Sequence, residues 1–393
     1  MATKTFNLSV VGSMRDLKGL LDGSLTSFRI PDGVTTLDRD RFYNFTQLTS
    51  LDFNQVAVIP PETCRECINL ANVTFTTNTT EIGEYAFYNC TKFEDTELPH
   101  TLTNIGERAF YHAGYYYSRG THTFTMIDDV GIHTTIGSEA FYQSHLSKID
   151  AYTNNIGYGA FQNCQSLTDV DIEIHGSLGQ YAFYNCTYVE NFEIKPESVI
   201  TSLGNNAFYS LAYSTSTLSR NIAPFDFRNS TFTSLAANTW ASNYYDGVVY
   251  FPSTLTTING NFLNDAQGNW KLYFNSVPTV SSSSYLRNDS AGTFTVKYLF
   301  PYDQLGTASA ATNWSTHTSQ MIGYGSGFEA GSTLPEYVRS SGVAITWYDD
   351  ASLTNVITTS SSATDIYYCT LGSSRVVAFI NSIDAFDGAV TIT

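Results

Sequence analysis

Positive charge is what this chain has least of. Lysine and arginine together number 19 against 36 aspartates and glutamates, a formal net charge of −17 over 393 residues. Binding to a nucleic-acid backbone needs clustered cations, so that class is excluded. An anionic membrane surface is disfavoured on the same ground. No run reaches the ~20 apolar residues of a membrane-spanning helix, so insertion is not expected. The first residues, Met1 to Val10, lack a basic stretch followed by an apolar core, so no secretory leader is read there.

Catalytic signatures are missing too. His100, His112, His122, His133, His145, His175 and His317 are scattered. There is no His-Glu-x-x-His, no Gly-x-Ser-x-Gly and no phosphate-cradling loop. Cysteine is sparse, six in all. Cys64-Arg65-Glu66-Cys67 looks like half a zinc site, but no second Cys-x-x-Cys completes four ligands. Nine Asn-x-Ser/Thr triplets, among them those at Asn89 and Asn185, follow from a composition rich in Asn and Thr and do not establish glycosylation.

What is present is a repeat. Ile82-Gly83-Glu84-Tyr85-Ala86-Phe87-Tyr88-Asn89-Cys90 returns at Ile105–Phe110, Ile136–Tyr142, Ile156–Cys164, Leu178–Cys186 and Leu203–Phe208. The pattern is aliphatic-Gly-x-x-Ala-Phe-x-x-Cys. A Leu-x-x-Val-x-Ile stretch follows, as in Leu167, Val170 and Ile172, or Val189, Phe192 and Ile194. The alternating, β-branched stretch predicts a strand. The Gly-x-x-Ala-Phe-x-x-Cys half predicts the return, by turns or a short helix. Cys67, Cys90, Cys164 and Cys186 share one slot and Cys64 falls on the Phe slot, so all are expected in the core as small buried groups. A unit of this kind buries its apolar face only against its neighbours, which is the logic of a solenoid.

The motif resembles the BspA-like family of leucine-rich repeats. The resemblance covers roughly residues 28 to 324 and is specific between 80 and 210. It implies a β-rich solenoid with parallel strands on a concave face, and a surface protein that binds host molecules or cells. On this reading residues 1–27 are an N-terminal cap, with a strand at Phe6–Val11 and a helix over Met14–Leu21. Residues 28–330 are the solenoid, closed near Tyr298–Tyr302 and Ala311–Ser315. Residues 331–393 form a small β module with strands around Val343–Asp350, Asp365–Leu371, Val376–Ile380 and Ala389–Ile392. At about 60 residues it is near the limit of independent stability, so it is expected to dock on the solenoid or a partner.

The solvent-facing strand position reads Asp52, Thr74, Glu97, Thr125, Asp150, Asp171 and Glu193 down the repeats. Asp150, Asp171 and Glu193 come from consecutive units and should form an acidic ladder. Like charges on adjacent strands repel, so Lys148 and Lys195, a bound Ca²⁺ or a basic partner is expected to offset them. A second candidate is Tyr115-Tyr116-Tyr117, in a long interval between Phe110 and Phe141. Insertions in solenoids map to loops on one face, and tyrosine suits binding loops. Phe208 to Trp240 is a second long interval.

The expectation is therefore a non-catalytic recognition or structural protein without a required cofactor, at a virion surface or in the extracellular space. The missing leader favours a bacteriophage tail or head-surface component that attaches to host cells and touches other virion proteins. A bacterial or protist adhesin is the alternative, and Ala389–Thr393 shows no anchor for it. A polysaccharide-cleaving solenoid is a third reading. Its partner would be a protein or glycan on a cell surface, and a homo-oligomer is open.

Overall fold

The computed structural model describes residues 24–115, 124–127, 133–213, 221–287, 294–301 and 304–324, with strand backbone at 347–348, 356–357, 366–370 and 376–380. Residues 1–23 of the expected 1–27 cap, Tyr116, Tyr117 and the expected strand at Ala389–Ile392 lie outside these. The chain forms two compact units. The first comprises Met1–Phe232, Ala236–Tyr245 and Phe262–Ala266, and the second the remainder.

The first unit is built on parallel ladders. Its main ladder begins with Ser27–Arg29, Ser50–Asp52 and Asn72–Thr74. On the same side a separate sheet then runs through Thr96–Glu97, Phe124–Ile127, Lys148–Ile156, Asp169–Ile174, Asn191–Ile194 and Asn221–Ile222. A second ladder joins the Ile-Gly positions: Val58–Ile59, Glu81–Ile82, Asn104–Ile105 and Thr134–Ile136, then Ile156 of the long strand. Ser177–Leu178 and Ser202–Leu203 complete it. Along Asp169–Ile174 buried and part-exposed residues alternate, because one face of the ladder meets the core and the other meets water.

The return half is turns throughout. In each unit two residues four apart adopt left-handed backbone: Tyr85 and Asn89 at φ 57° and 59°, Tyr181 and Asn185 at 60° and 59°. A non-glycine residue there costs roughly 1–2 kcal/mol. Hydrogen bonds between successive turns offset that cost. Phe87 N donates to Ala109 O at 2.7 Å, Phe110 N to Ala140 O at 2.7 Å and Phe161 N to Ala182 O at 2.8 Å. Turn backbone is thus paired from unit to unit as strand backbone is, which answers the need to satisfy buried polar groups.

A column of phenylalanines runs through the core. Phe87–Phe110, Phe110–Phe141, Phe141–Phe161 and Phe161–Phe183 stack at 5.1, 5.2, 5.4 and 5.0 Å between ring centres. Beside it the cysteines do more than fill space. The four thiols that share one slot each donate to a carbonyl of the preceding turn: Cys67 to Phe42 O at 2.9 Å, Cys90 to Cys64 O at 3.1 Å, Cys164 to Phe141 O at 2.9 Å and Cys186 to Phe161 O at 3.0 Å. Asn243 makes the equivalent bond to Phe208 O at 3.0 Å. Burial pushes the Cys164 thiol up to about 12 and raises the Cys186 thiol well above its ordinary value. Reactivity belongs to the thiolate. A thiol reagent applied to the native chain should therefore leave Cys64, Cys67, Cys90, Cys164 and Cys186 unmodified, all being buried. Peptide mass mapping before and after unfolding checks this; modification of these five in the native state would contradict it.

The second unit repeats the plan. Gly247–Tyr250, Gly268–Tyr273, Phe294–Pro301 and Met321–Tyr324 form one parallel ladder. Ser234–Leu235, Thr257–Ile258 and Thr279–Val280 form the other. Trp314 is fully buried, edge-on to Phe274, Tyr298 and Phe300, and donates to Pro278 O at 2.8 Å. In the C-terminal part Val356–Ile357, Trp347–Tyr348, Ile366–Thr370 and Val376–Ile380 lie side by side as an antiparallel sheet. Both solenoid units are parallel β-solenoids with little helix.

Candidate recognition site

The acidic positions are brought together by strand register. Asp150 pairs with Asp171, and Asp171 with Glu193. The preceding rung differs from the sequence alignment: Ile127 stands opposite Asp150, and Thr125 opposite Lys148. Glu97 pairs with Thr125 and so belongs to the Lys148 row. The long interval after Phe110 shifts the register by two residues, and an even shift keeps the same face outward, so alternation alone does not reveal it.

Lys195 offsets part of the ladder's charge. Its Nζ lies 3.2 Å from Asp150 Oδ1 and 3.5 Å from Asp171 Oδ1, and sits 4.5 Å from the centre of the Tyr152 ring. Burial works against the charged ammonium, but the Asp150 hydrogen bond and the charges of Asp171 and Asp150 outweigh it and raise its pKa. Lysine 195 comes from the strand end two rungs from Asp150, and its long stem carries the charge back across. The ammonium occupies the place between Asp150 and Asp171 that a Ca²⁺ ion would need. Among the described residues no three His, Cys, Asp or Glu side chains are grouped to hold a metal ion.

Around this pair the ladder forms an open trough of about 280 Å³, lined among others by Lys148, Asp150, Asp169, Asp171, Asn191 and Glu193. Glu193 is exposed and Asp169 is held by hydrogen bonds from Thr168 and Asn191. The trough therefore keeps an acidic excess after Lys148 and Lys195 are counted. Beside Tyr152, which His133 meets edge-on at 6.3 Å, His133 and His175 meet edge-to-face at 4.9 Å, with His175 on the Glu173 carboxylate. Sequence reading missed this contact because the two histidines belong to different repeats and neither lies on the Val-x-Ile stretch. Tyr115, the one described member of the tyrosine run, is 59 % exposed and stacks on His112 at 5.0 Å, on the turn side rather than at the trough.

The profile of the BspA-type leucine-rich repeat region matches residues 21–130, 115–237 and 177–290, with six copies of the repeat. The chain belongs to this family. BspA-type repeats are generally binding surfaces rather than catalytic ones. No curated protein matches. Among solved structures, a leucine-rich repeat protein of T. pallidum is similar at 18 % identity and TM-score 0.35, covering 50 % of this chain and 80 % of its own. A leucine-rich cell surface protein of Faecalibacterium prausnitzii is similar at 20 % identity and TM-score 0.35, covering 63 % and 73 %. A leucine-rich repeat protein of Bacteroides ovatus is similar at 14 % identity and TM-score 0.25, covering 65 % and 83 %.

Proposed function

We propose that this BspA-type protein is a non-catalytic recognition protein of a bacterial or protist cell surface, and that its acidic trough takes a cationic patch on a partner protein. The observation that carries this reading is the cradle around Lys195. Two in-register aspartates and a tyrosine ring already hold one ammonium there, beside the exposed carboxylate of Glu193. A lysine- or arginine-bearing surface presents more of the same charge to the same row. Membership of a binding-repeat family and a surface rich in Ser, Thr, Asn and Tyr support an extracellular setting.

Glu193 is exposed and, among the described residues, pairs with no lysine, so it is the position to change. Surface plasmon resonance of the full chain on immobilised basic proteins and neutral glycans should show retention on basic members only, fading as salt rises. Glu193→Lys is expected to weaken that retention by roughly tenfold, about 1.4 kcal/mol, with an unchanged far-UV spectrum. Equal retention by both chains, or a preference for the glycans, would rule the trough out as the contact.

A further inference from the structure

On the turn face, the residue after each core phenylalanine forms an outward column: Tyr88, Tyr111, Tyr142, Gln162, Tyr184, Tyr209. The rings stack where they are consecutive. Tyr88–Tyr111 are 4.9 Å apart, Tyr111–Tyr142 4.7 Å and Tyr184–Tyr209 4.7 Å, each pair within 16° of parallel. Gln162 breaks the column. Its turn is hydrogen-bonded in sequence to both neighbours, Gln143 N to Gln162 O at 2.9 Å and Asn163 N to Tyr184 O at 2.8 Å. Tyr142 and Tyr184 therefore stand two steps apart, roughly twice the 4.7 Å step, with no ring between them.

The same turn carries a second omission. Two residues before the phenylalanine, neighbouring repeats hold Tyr85, Arg108, Glu139 and Tyr181, whereas this one holds Gly159. Gln162 bends toward the vacated space: a Cβ on Gly159 would lie 3.0 Å from Gln162 Oε1 and 3.5 Å from Glu139 Cγ. Among the described residues the Gln162 amide has no hydrogen-bond partner. The result is a notch walled by Tyr142 and Tyr184, with an unused amide at its base and Glu139 at its side. Tyr158, 45 % exposed and edge-on to Tyr181 at 5.5 Å, forms its rim.

The molecule itself shows what such a rung accepts. One column position earlier than Tyr88, Arg65 takes the place of a tyrosine. Its guanidinium lies 5.9 Å from the Tyr43 ring, 5.4 Å from Tyr85 and 5.4 Å from Tyr88, tied to Glu62 at 2.9 Å. Arg108 repeats the pattern 5.7 Å from Tyr85 and 6.0 Å from Tyr111, paired with Glu139. A flat cation between two tyrosine faces with a carboxylate alongside is thus used twice on this face.

We infer that the notch at Gln162 is a binding site for an arginine side chain of a partner protein, sandwiched between Tyr142 and Tyr184 and bonded to the Gln162 amide oxygen and Glu139. The strongly acidic chain draws such a group in. A planar guanidinium fits a gap one ring wide, while an ammonium does not fill it. The site lies on the turn face and is independent of the trough on the main ladder.

The test uses the full chain with ring-labelled tyrosine, its Tyr142 and Tyr184 signals assigned through Tyr→Phe variants. It is titrated with Nα-acetyl-arginine amide, Nα-acetyl-lysine amide and methyl glucoside. The arginine probe should move both ring signals saturably and bind on the order of tenfold more tightly than the lysine probe. Gln162→Tyr, which restores the column's own residue and so should fold normally, should abolish the response, whereas Glu193→Lys should leave it intact. Silence toward the arginine probe, or a response that survives Gln162→Tyr, would overturn the assignment. Movement of these rings by the glucoside alone would overturn it too and make the notch a sugar site.

Discussion

Phe161→Ala should lower the stability of the first unit by about 4 kcal/mol, at the upper end of what removal of one side chain costs. Phe161 is fully buried and stacked on both faces, against Phe141 at 5.4 Å and Phe183 at 5.0 Å. Truncation removes the ring and leaves a cavity bounded by two rings that are themselves held by inter-turn hydrogen bonds. The N-terminal repeats show what relief would require. Where Cys64 stands on the phenylalanine slot, Phe53 and Phe75 from the strand side fill the space and contact Phe87 edge-on at 6.0 and 5.7 Å. Around Phe161 the strand positions are Ile149, Val170 and Ile172, which are aliphatic and already buried. Among the described residues no ring besides Phe141 and Phe183 contacts Phe161. Urea unfolding followed by tyrosine fluorescence measures the loss, with amide exchange to localise it, because repeat arrays depart from two-state behaviour. A loss below about 1.5 kcal/mol would mean that the column is loosely packed and not a spine.

How much of this was legible in the sequence depends on how long the responsible side chain is and which half of the repeat it sits in. The strand, the phenylalanine column and the buried cysteines follow from fixed slots, since a core position repeated every turn must stack. The acidic ladder followed too, because Asp150, Asp171 and Glu193 lie in uninterrupted repeats where alignment and register coincide. Thr125 did not, because the inserted segment after Phe110 shifts the pairing by two residues while preserving alternation. Lys195 was anticipated as a neighbour, but its bridge to both aspartates over Tyr152 depends on a flexible stem that no spacing rule places. The turn face was the least legible part. Tyr85, Arg108, Glu139 and Tyr181 occupy left-handed backbone at φ 57°, 50°, 51° and 60°. Residues of these types carry no propensity for that region, so nothing in their identity marks the turn. The repeat imposes it through hydrogen bonds that only the neighbouring turns supply.

Two glycines in one turn separate close approach from conformational freedom, and they should respond very differently to the same substitution. At Gly157 an added Cβ would sit 2.6 Å from Gly137 C and Ser138 N and 2.9 Å from Gly137 O. All three are backbone atoms of the preceding turn, so no side-chain rotation makes room. The turns would have to part, stretching Gly157 N to Ile136 O from its 2.8 Å and loosening the Ile156–Ile136 rung. Gly157→Ala is expected to cost about 3 kcal/mol or more. The same squeeze recurs at Gly83, Gly106, Gly137, Gly179 and Gly204, which explains why glycine holds this slot in all six copies of the motif. Gly159 has φ +56°, the conformation that favours glycine, yet its nearest obstacle is the mobile end of Gln162 at 3.0 Å. Four neighbouring repeats carry larger residues at that slot, so Gly159→Ala should cost only about 1 kcal/mol. Urea midpoints of the two single variants and the wild-type chain decide the matter. Equal losses at the two positions would mean that backbone freedom, and not the approach of adjacent turns, is what the repeat requires of its glycine.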